Sequence, residues 1–260
     1  MDDVTSGFNI GDNISTDLAF NKLLGFTEKE VSDILEYYIS VGELNIDKVE
    51  AMTIIKKWYD NYIFSTETTE SVHNSDAILY FVNKAIRSKK IPDNLIDDNL
   101  RMDYGKLQYL IIQDKALNGN FKRLTEIIYN GGIPSEIKKS FPFDQITQQE
   151  NFISLLYFFG LLSFSGTYVE GLPFLHIPNE TIKQMVFEYI RRSFENAYGF
   201  SVQMYELLLL VRKMAYRGEF KEAFEFIENE IKKQSSLRDF IDGETFVKAF
   251  YLSFLNIYDF

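Results

Sequence analysis

Helix-start signals recur along this chain more than any other local pattern. Thr27 stands three residues before Glu30, Asp47 three before Glu50, and Thr147 three before Glu150. In each pair the first side chain is placed as an N-cap, accepting a bond from the backbone N–H three residues on, while the acid reaches back to the cap's own N–H. Apolar residues at helical spacing follow. Val31, Ile34, Leu35 and Tyr38 form a stripe behind Thr27, and Phe26 before the cap can close a hydrophobic staple with Val31. A chain punctuated in this way is expected to be mainly α and multi-helical.

The second helix, opened by Asp47, is expected to run to about Tyr62 and to bury Met52, Ile55, Trp58 and Tyr59. A polar loop from Ser65 to His73 follows. Asn74 then caps a third helix bearing Ile78, Leu79 and Val82. Residues 88–103 carry Pro92 and several Asp and Asn with little periodicity, and read as a loop. Asp103 is placed to cap a helix with Leu107, Leu110 and Ile111 on one face. The next helix covers about 120–130 and stops at Gly131-Gly132-Ile133-Pro134; a short helix is expected over 135–140. Behind Thr147 a helix ends at Gly160. Asn179 caps another to about Ala197. Met204, Leu207, Leu208 and Val211 face one way on the first arm of an αα-hairpin, Gly218 breaks the chain, and Phe220, Phe224, Ile227 and Ile231 line the second arm. Asp242 caps a last helix rich in Phe and Tyr.

One segment departs from the helical pattern. Leu161–Ser165 and Leu172–Ile177 read as two short strands joined by a loop containing Gly166 and Gly171. Helices followed by a small β-hairpin is the order of a winged helix, expected here over 120–178. A DNA-reading winged helix sets Arg or Lys on its recognition helix and wing. No Lys or Arg occurs between Lys139 and Lys183, and the candidate recognition helix opens with Gln148, Gln149, Glu150 and Asn151. The run Leu155 to Phe164 is instead expected to be a packing surface, within this chain or against a neighbouring domain.

Apolar residues make up 46% of the 260 and aromatics 16%, enough to bury a sizeable core. The net charge of −11 repels phosphate backbones and disfavours nucleic acid as a partner for this chain. With no cysteine, disulfides, thiolate metal sites and cysteine nucleophiles are excluded. The acidic start is unlike a signal peptide. The longest apolar stretch is half of the ~20 residues a membrane span needs. A cytoplasmic protein that meets no membrane is expected. His73 and His176 are the only histidines, and neither has a second histidine one turn away. Both are read as ordinary surface or half-buried residues, and no metal and no cofactor are expected. Trp58, Tyr59, Tyr62 and Phe64 cluster in sequence. Such aromatics can stack on a base, but their helical spacing, with Ile54 and Ile55, favours a core, with Trp58 as its anchor.

An ordered set of phrases adds a resemblance. Asp2-Asp3-Val4-Thr5-Ser6-Gly7-Phe8-Asn9-Ile10, Gly25-Phe26-Thr27-Glu28-Lys29-Glu30-Val31 and Trp58-Tyr59-Asp60-Asn61-Tyr62-Ile63-Phe64 resemble, in this order, bacterial AAA-ATPase-like proteins with a C-terminal PD-(D/E)XK nuclease-like domain. Asn74 to Phe81, Asn94-Leu95-Ile96-Asp97 and Asn151 to Tyr157 extend it. Within that pattern Ser6, Gly7, Phe8, Asn9, Trp58, Tyr59, Tyr62, Phe64 and Asn74 are the motif positions. Asn61 stands where the family often has Gly, and Asn is a substitute where a left-handed backbone is needed. The resemblance implies the middle of a larger protein: residues 1–87 a helical ATPase lid, 88–197 a connector and winged-helix-like unit, 198–260 a helical hairpin and a helix leading toward a nuclease. Glu244 in that last helix is similar in place to an acidic residue on the nuclease's first helix.

The reaction-bearing motifs of such a protein are missing here. A P-loop needs Gly-x-x-x-x-Gly-Lys-Ser/Thr. The one Gly-Lys pair, Gly105-Lys106, is followed by Leu107. Glu136-Ile137-Lys138 and Glu230-Ile231-Lys232 match the nuclease string, but both fall in expected helices. The expectation is a non-catalytic helical coupling or interaction module, with neighbouring ATPase or nuclease domains or another protein as partner. A nucleic-acid-binding winged-helix module, and residual ATPase or nuclease activity, are the alternatives.

Overall fold

The computed structural model describes residues 13–97, 112–113, 116–117, 119–142, 145, 148–198 and 203–233. Ser6, Gly7, Phe8 and Asn9, the Thr147 cap, the Asp103 helix and the final helix behind Asp242 lie outside them. Mainly helical structure is observed: eight α-helices and three small antiparallel sheets among the described residues. No described helix is long and apolar enough to cross a membrane.

Contacts divide the chain into two compact units. The first takes in residues up to 110 together with 119–186; the second is residues 111–118 with 187 onward. The first unit therefore contains both the expected lid and most of the expected connector.

In the first unit, α1 (Glu28–Ser40), α2 (Lys48–Tyr59) and α3 (Ser75–Ser88) form a bundle. Thr27 and Glu30 make the full reciprocal capping box. The side chains of Asp47 and Asn74 accept from the N–H groups of Glu50 and Ala77. Val31, Leu35, Ile55, Tyr59, Ile78, Phe81 and Val82 fill the bundle core. Trp58 is not its anchor. It is half-buried at the margin, and Tyr59, 1% exposed, occupies the centre, edge-on to Phe81. α2 also stops three residues earlier than its periodicity suggests, because Asp60 is extended and Asn61 turns left-handed at φ 71°.

Two-residue strands β1 (Gly25–Phe26) and β2 (His73–Asn74) pair antiparallel, with Phe26 opposite His73. His73 is thereby drawn out of the expected polar loop into the interior, where it is 1% exposed. Tyr62 and Val72 exchange both backbone bonds and hold the rest of that loop folded back.

The remainder of the first unit runs α4 (Gly119–Asn130), β5 (Ile133–Pro134), α5 (Gln149–Phe158), β6 (Ser163–Val169), β7 (Leu172–His176) and the start of α6 (Glu180–Tyr198). The sheet order is β5-β7-β6. Gly132 sits where a Cβ would fall 2.3 Å from the Leu175 carbonyl oxygen and 2.5 Å from the Phe174 ring, so β5 can reach β7 only with glycine there. The expected helix over 135–140 is absent. Ser135 N–H bonds Pro173 O and Lys138 N–H bonds Ser154 Oγ, so the segment is tied to the edge of β7 and to α5. Gly166 does not end the first strand. At φ 75° it accommodates a register shift inside β6, and Glu170-Gly171, both at positive φ, make the two-residue turn. α5 begins after Gln148, which makes no side-chain cap bond.

In the second unit, hairpin strands β3 (Ile112–Gln113) and β4 (Ala116–Leu117) pair antiparallel. Helices α7 (Met204–Arg217) and α8 (Lys221–Lys233) flank Gly218, which takes the left-handed cap at φ 70°. Leu207 and Val211 are buried on α7. On α8 the buried stripe is Ala223, Phe226, Ile227 and Glu230, whereas Phe220 and Phe224 are exposed. Both stripes have helical spacing and share Ile227, so packing alone selects between them.

Ile55→Ala should cost about 2–5 kcal/mol, as for an aliphatic side chain removed from a closed core. Trp58→Ala should cost less, because water already reaches that ring. Urea unfolding followed by circular dichroism compares the two; a larger loss for Trp58 contradicts the placement. A second expectation concerns His176, opposite Ser163 on β7, whose burial lowers its pKa from the ordinary 6.5. A histidine depressed in the folded state binds its proton more readily unfolded. Its contribution is complete above pH 6.5 and is lost as pH falls below that value. His176→Gln should flatten the decline in Tm between pH 7.5 and about 5.5; an unchanged slope contradicts it.

Candidate functional site

Of the sequence-predicted positions inside the described residues, Tyr62 and Phe64 lie on one irregular stretch, Asp60 to Ser65, Trp58 and Tyr59 stand just before it at the end of α2, and Asn74 pairs with Gly25 at the start of α3. The stretch leaves the end of α2 and runs through the interior of the first unit. An irregular segment in such a place must find partners for its backbone polar groups outside any regular element. Here side chains from four other places supply them.

Asn21, 2% exposed, bridges two strands of chain. Its Oδ1 accepts from Phe64 N–H at 2.8 Å and Ser65 N–H at 3.0 Å, and its Nδ2 donates to Glu70 O at 2.9 Å. Ser163 at the start of β6 accepts from Ile63 N–H at 2.7 Å, while Phe164 N–H donates to Ile63 O. The Tyr157 hydroxyl on α5 donates to Phe64 O at 2.9 Å. Asn179 has two tasks. Its Oδ1 accepts from Ile182 N–H as the N-cap of α6, and its Nδ2 donates to Asp60 O at 2.8 Å.

The aromatic side chains continue this clamp. The rings of Tyr62 and Phe64 stack, with centroids 6.3 Å apart and planes at 16°. Tyr59 donates from its hydroxyl to Leu95 O at 2.7 Å. Burial pushes the phenols of Tyr59 and Tyr157 well above the usual tyrosine range, so both remain hydrogen-bond donors at any ordinary pH. Asn74 acts through α3, whose first turn it caps.

Beneath the stretch lies a small polar cluster. Ser71 Oγ donates to Asp60 Oδ1 at 2.8 Å, and His73 Nδ1 stands 3.7 Å from the same oxygen and 3.2 Å from Phe26 O. The imidazole Nε2 is buried without a partner. The serine hydroxyl is spent on the carboxylate and faces no imidazole nitrogen, which is not the serine–histidine arrangement of a nucleophilic site. Among the described residues no group of three or more His, Asp or Glu is placed to hold a metal ion. Together the side chains around this stretch fix one backbone path.

Asn61 has the left-handed backbone that its place in the motif suggests. Asn21, Tyr157 and Ser163 were not singled out by sequence. Their one signal is polarity within apolar company, as with Ser163 between Leu162 and Phe164. Asn179 was legible as a cap but not as a bridge. The Leu155–Phe164 run packs inside the chain through Leu156, Tyr157, Leu161, Leu162 and Phe164, while Phe158 and Phe159 remain exposed.

Two substitutions test the clamp. Asn179→Ala removes a helix cap and strands a carbonyl, and should cost roughly 2–4 kcal/mol. Asn179→Asp keeps the cap acceptor but cannot donate, so it should recover only part of that loss. Equal stabilities for Asp and Asn in urea unfolding would show that the bond to Asp60 contributes nothing.

Compared with family models, curated proteins and solved structures, the chain matches none.

Proposed function

We propose that this chain is a non-catalytic helical coupling module, of the kind that stands between the nucleotide core and the effector domain of an AAA-ATPase-like protein with a nuclease-like domain. The observation that carries this reading is the side-chain clamp on Asp60–Ser65. It ties the end of α2 to the sheet through Ser163, to α5 through Tyr157 and to the first turn of α6 through Asn179. A displacement of the bundle is then felt by three other elements at once, because packed interiors shift between discrete arrangements and do not deform smoothly.

In this reading the α4, β5, α5, β6, β7 unit is winged-helix-like and serves as a packing platform. Its sheet order, with the first short strand beside the last, supports that description. Gln148, Glu150, Phe158 and Phe159, exposed at the ends of α5, carry no positive charge to meet a phosphate, and Lys138 beside Glu150 is paired to it. The partner is a protein domain, and neither a cofactor nor a membrane has a part in the proposal.

Titration calorimetry with Mg-ATP should show no binding tighter than about a millimolar, roughly −4 kcal/mol. Tighter binding would overturn the non-catalytic reading in favour of an ATPase remnant. Fluorescence anisotropy with duplex DNA at low salt should match an acidic control protein; micromolar binding that fades steeply with added salt would favour the winged-helix DNA module instead.

A further inference from the structure

The joint between α4 and β5 carries chemistry that the clamp does not use. α4 ends at Asn130, and Gly131 and Gly132 lead into β5. Asn130 is exposed, and among the described residues no hydrogen bond holds its side-chain amide. Gly131 is left-handed at φ 74°, with nothing within 4 Å of where a Cβ would stand. Its N–H donates to Ile128 O at 3.4 Å, which is long for such a bond. An asparagine amide carbon is an electrophile, and the backbone nitrogen of the next residue can close a five-membered ring on it. A side chain on that next residue obstructs the approach, and a continuing helix withholds the nitrogen by bonding its N–H. At Asn130 both restraints lapse, because glycine has no side chain and a helix frays at its end.

We propose that Asn130 is a self-modifying site, converted through a cyclic imide to aspartate and isoaspartate. The Gly131 nitrogen gives its proton to hydroxide and bonds Cγ of Asn130. The Cγ–Nδ2 bond breaks, and the departing nitrogen takes a proton from water and leaves as ammonia, which restores the hydroxide. Water then opens the imide at one of its two carbonyls. One opening gives aspartate. The other gives isoaspartate, in which the main chain runs through Cβ and is one atom longer. Water is the sole co-reactant, and nothing is oxidised or reduced.

The surroundings decide what the change does. The new carboxylate stands at the C-terminus of α4, where the helix dipole disfavours negative charge, and the last turn holds no basic residue to offset it. Isoaspartate adds its extra atom just ahead of Gly132, where β5 meets β7 without slack: a Cβ on Gly132 would fall 2.3 Å from Leu175 O. The pairing of Ile133 with Leu175 depends on that close approach. Both products therefore loosen the joint, isoaspartate more than aspartate.

The test is incubation of the folded full chain at body temperature and mildly alkaline pH, with its tryptic peptides followed by mass spectrometry. Asn130 is the sole asparagine of the peptide Leu124–Lys138, whereas Trp58–Lys84 bears Asn61, Asn74 and Asn83, none followed by glycine. The first peptide should gain the mass of an amide-to-acid change, and separate into two products, about tenfold faster than the second changes at all. Tm should fall as the modified fraction grows, and Asn130→Gln should abolish both the mass gain and the drift in Tm. Asn130→Asp, which supplies the charge without the extra atom, should lower Tm by about 1–3 °C, and full ageing of the wild type should lower it further. An unchanged Leu124–Lys138 peptide, a gain no faster than in Trp58–Lys84, or aspartate as the single product would each overturn the proposal. Aged protein with the Tm of fresh protein would overturn the structural consequence assigned to the site.

Discussion

The bond from Asn179 to the carbonyl of Asp60 is the constraint around which the first unit is organised. Asp60 is where α2 gives way to irregular chain, and the buried carbonyl there has no helical partner. Asn179 meets that need with the same side chain that starts α6. One amide therefore sets both where the second helix hands over and where the sixth begins. Left unmet, such a carbonyl costs about 1–3 kcal/mol, a large part of the ~5–15 kcal/mol that holds a typical domain.

The neighbouring contacts follow the same logic. Ile63, Phe64 and Ser65 present N–H groups to the interior, and Asn21 and Ser163 each place an oxygen within 3.0 Å. Close apolar packing resists slips by shape. A set of directed bonds resists them further, since a shift of one residue leaves several groups unpaired at once. The stacked Tyr62 and Phe64 rings and the Tyr62–Val72 bridge add shape to that register. Most of these polar groups hold the backbone, and Asp60 and His73 of the adjoining cluster are buried.

The outward face of α3 differs in kind. There Asp76, Tyr80, Lys84 and Arg87 on the helix and Asp97 beyond it line an open cavity. The inner face of α3 belongs to the bundle through Ile78, Phe81, Val82 and Ala85. One helix thus joins the core that the clamp positions to an open polar groove.

Much of the helical framework was legible in the sequence, because a capping box and the stripe behind it are local and act within one turn. Thr27, Asp47, Asn74 and Asn179 cap as their positions imply, and Gly218 ends α7. Asn61 takes a left-handed backbone, which Asn adopts more readily than most side chains. The rest depended on partners distant along the chain. Trp58 and Tyr59 are adjacent, and only packing against Phe81 and Leu95 decided which of them goes inside. His73 looks like a loop residue until Phe26 pairs with it, and residues 135–140 look helical until Ser135 is seen tied to β7 and Lys138 to Ser154. The sequence by itself determined where helices begin and which faces are apolar, since those follow from contacts three or four residues apart. Tertiary structure alone decided the course of Asp60–Ser65 and the choice of stripe on α8, since hydrogen bonds and packing across a hundred residues leave no periodicity to read.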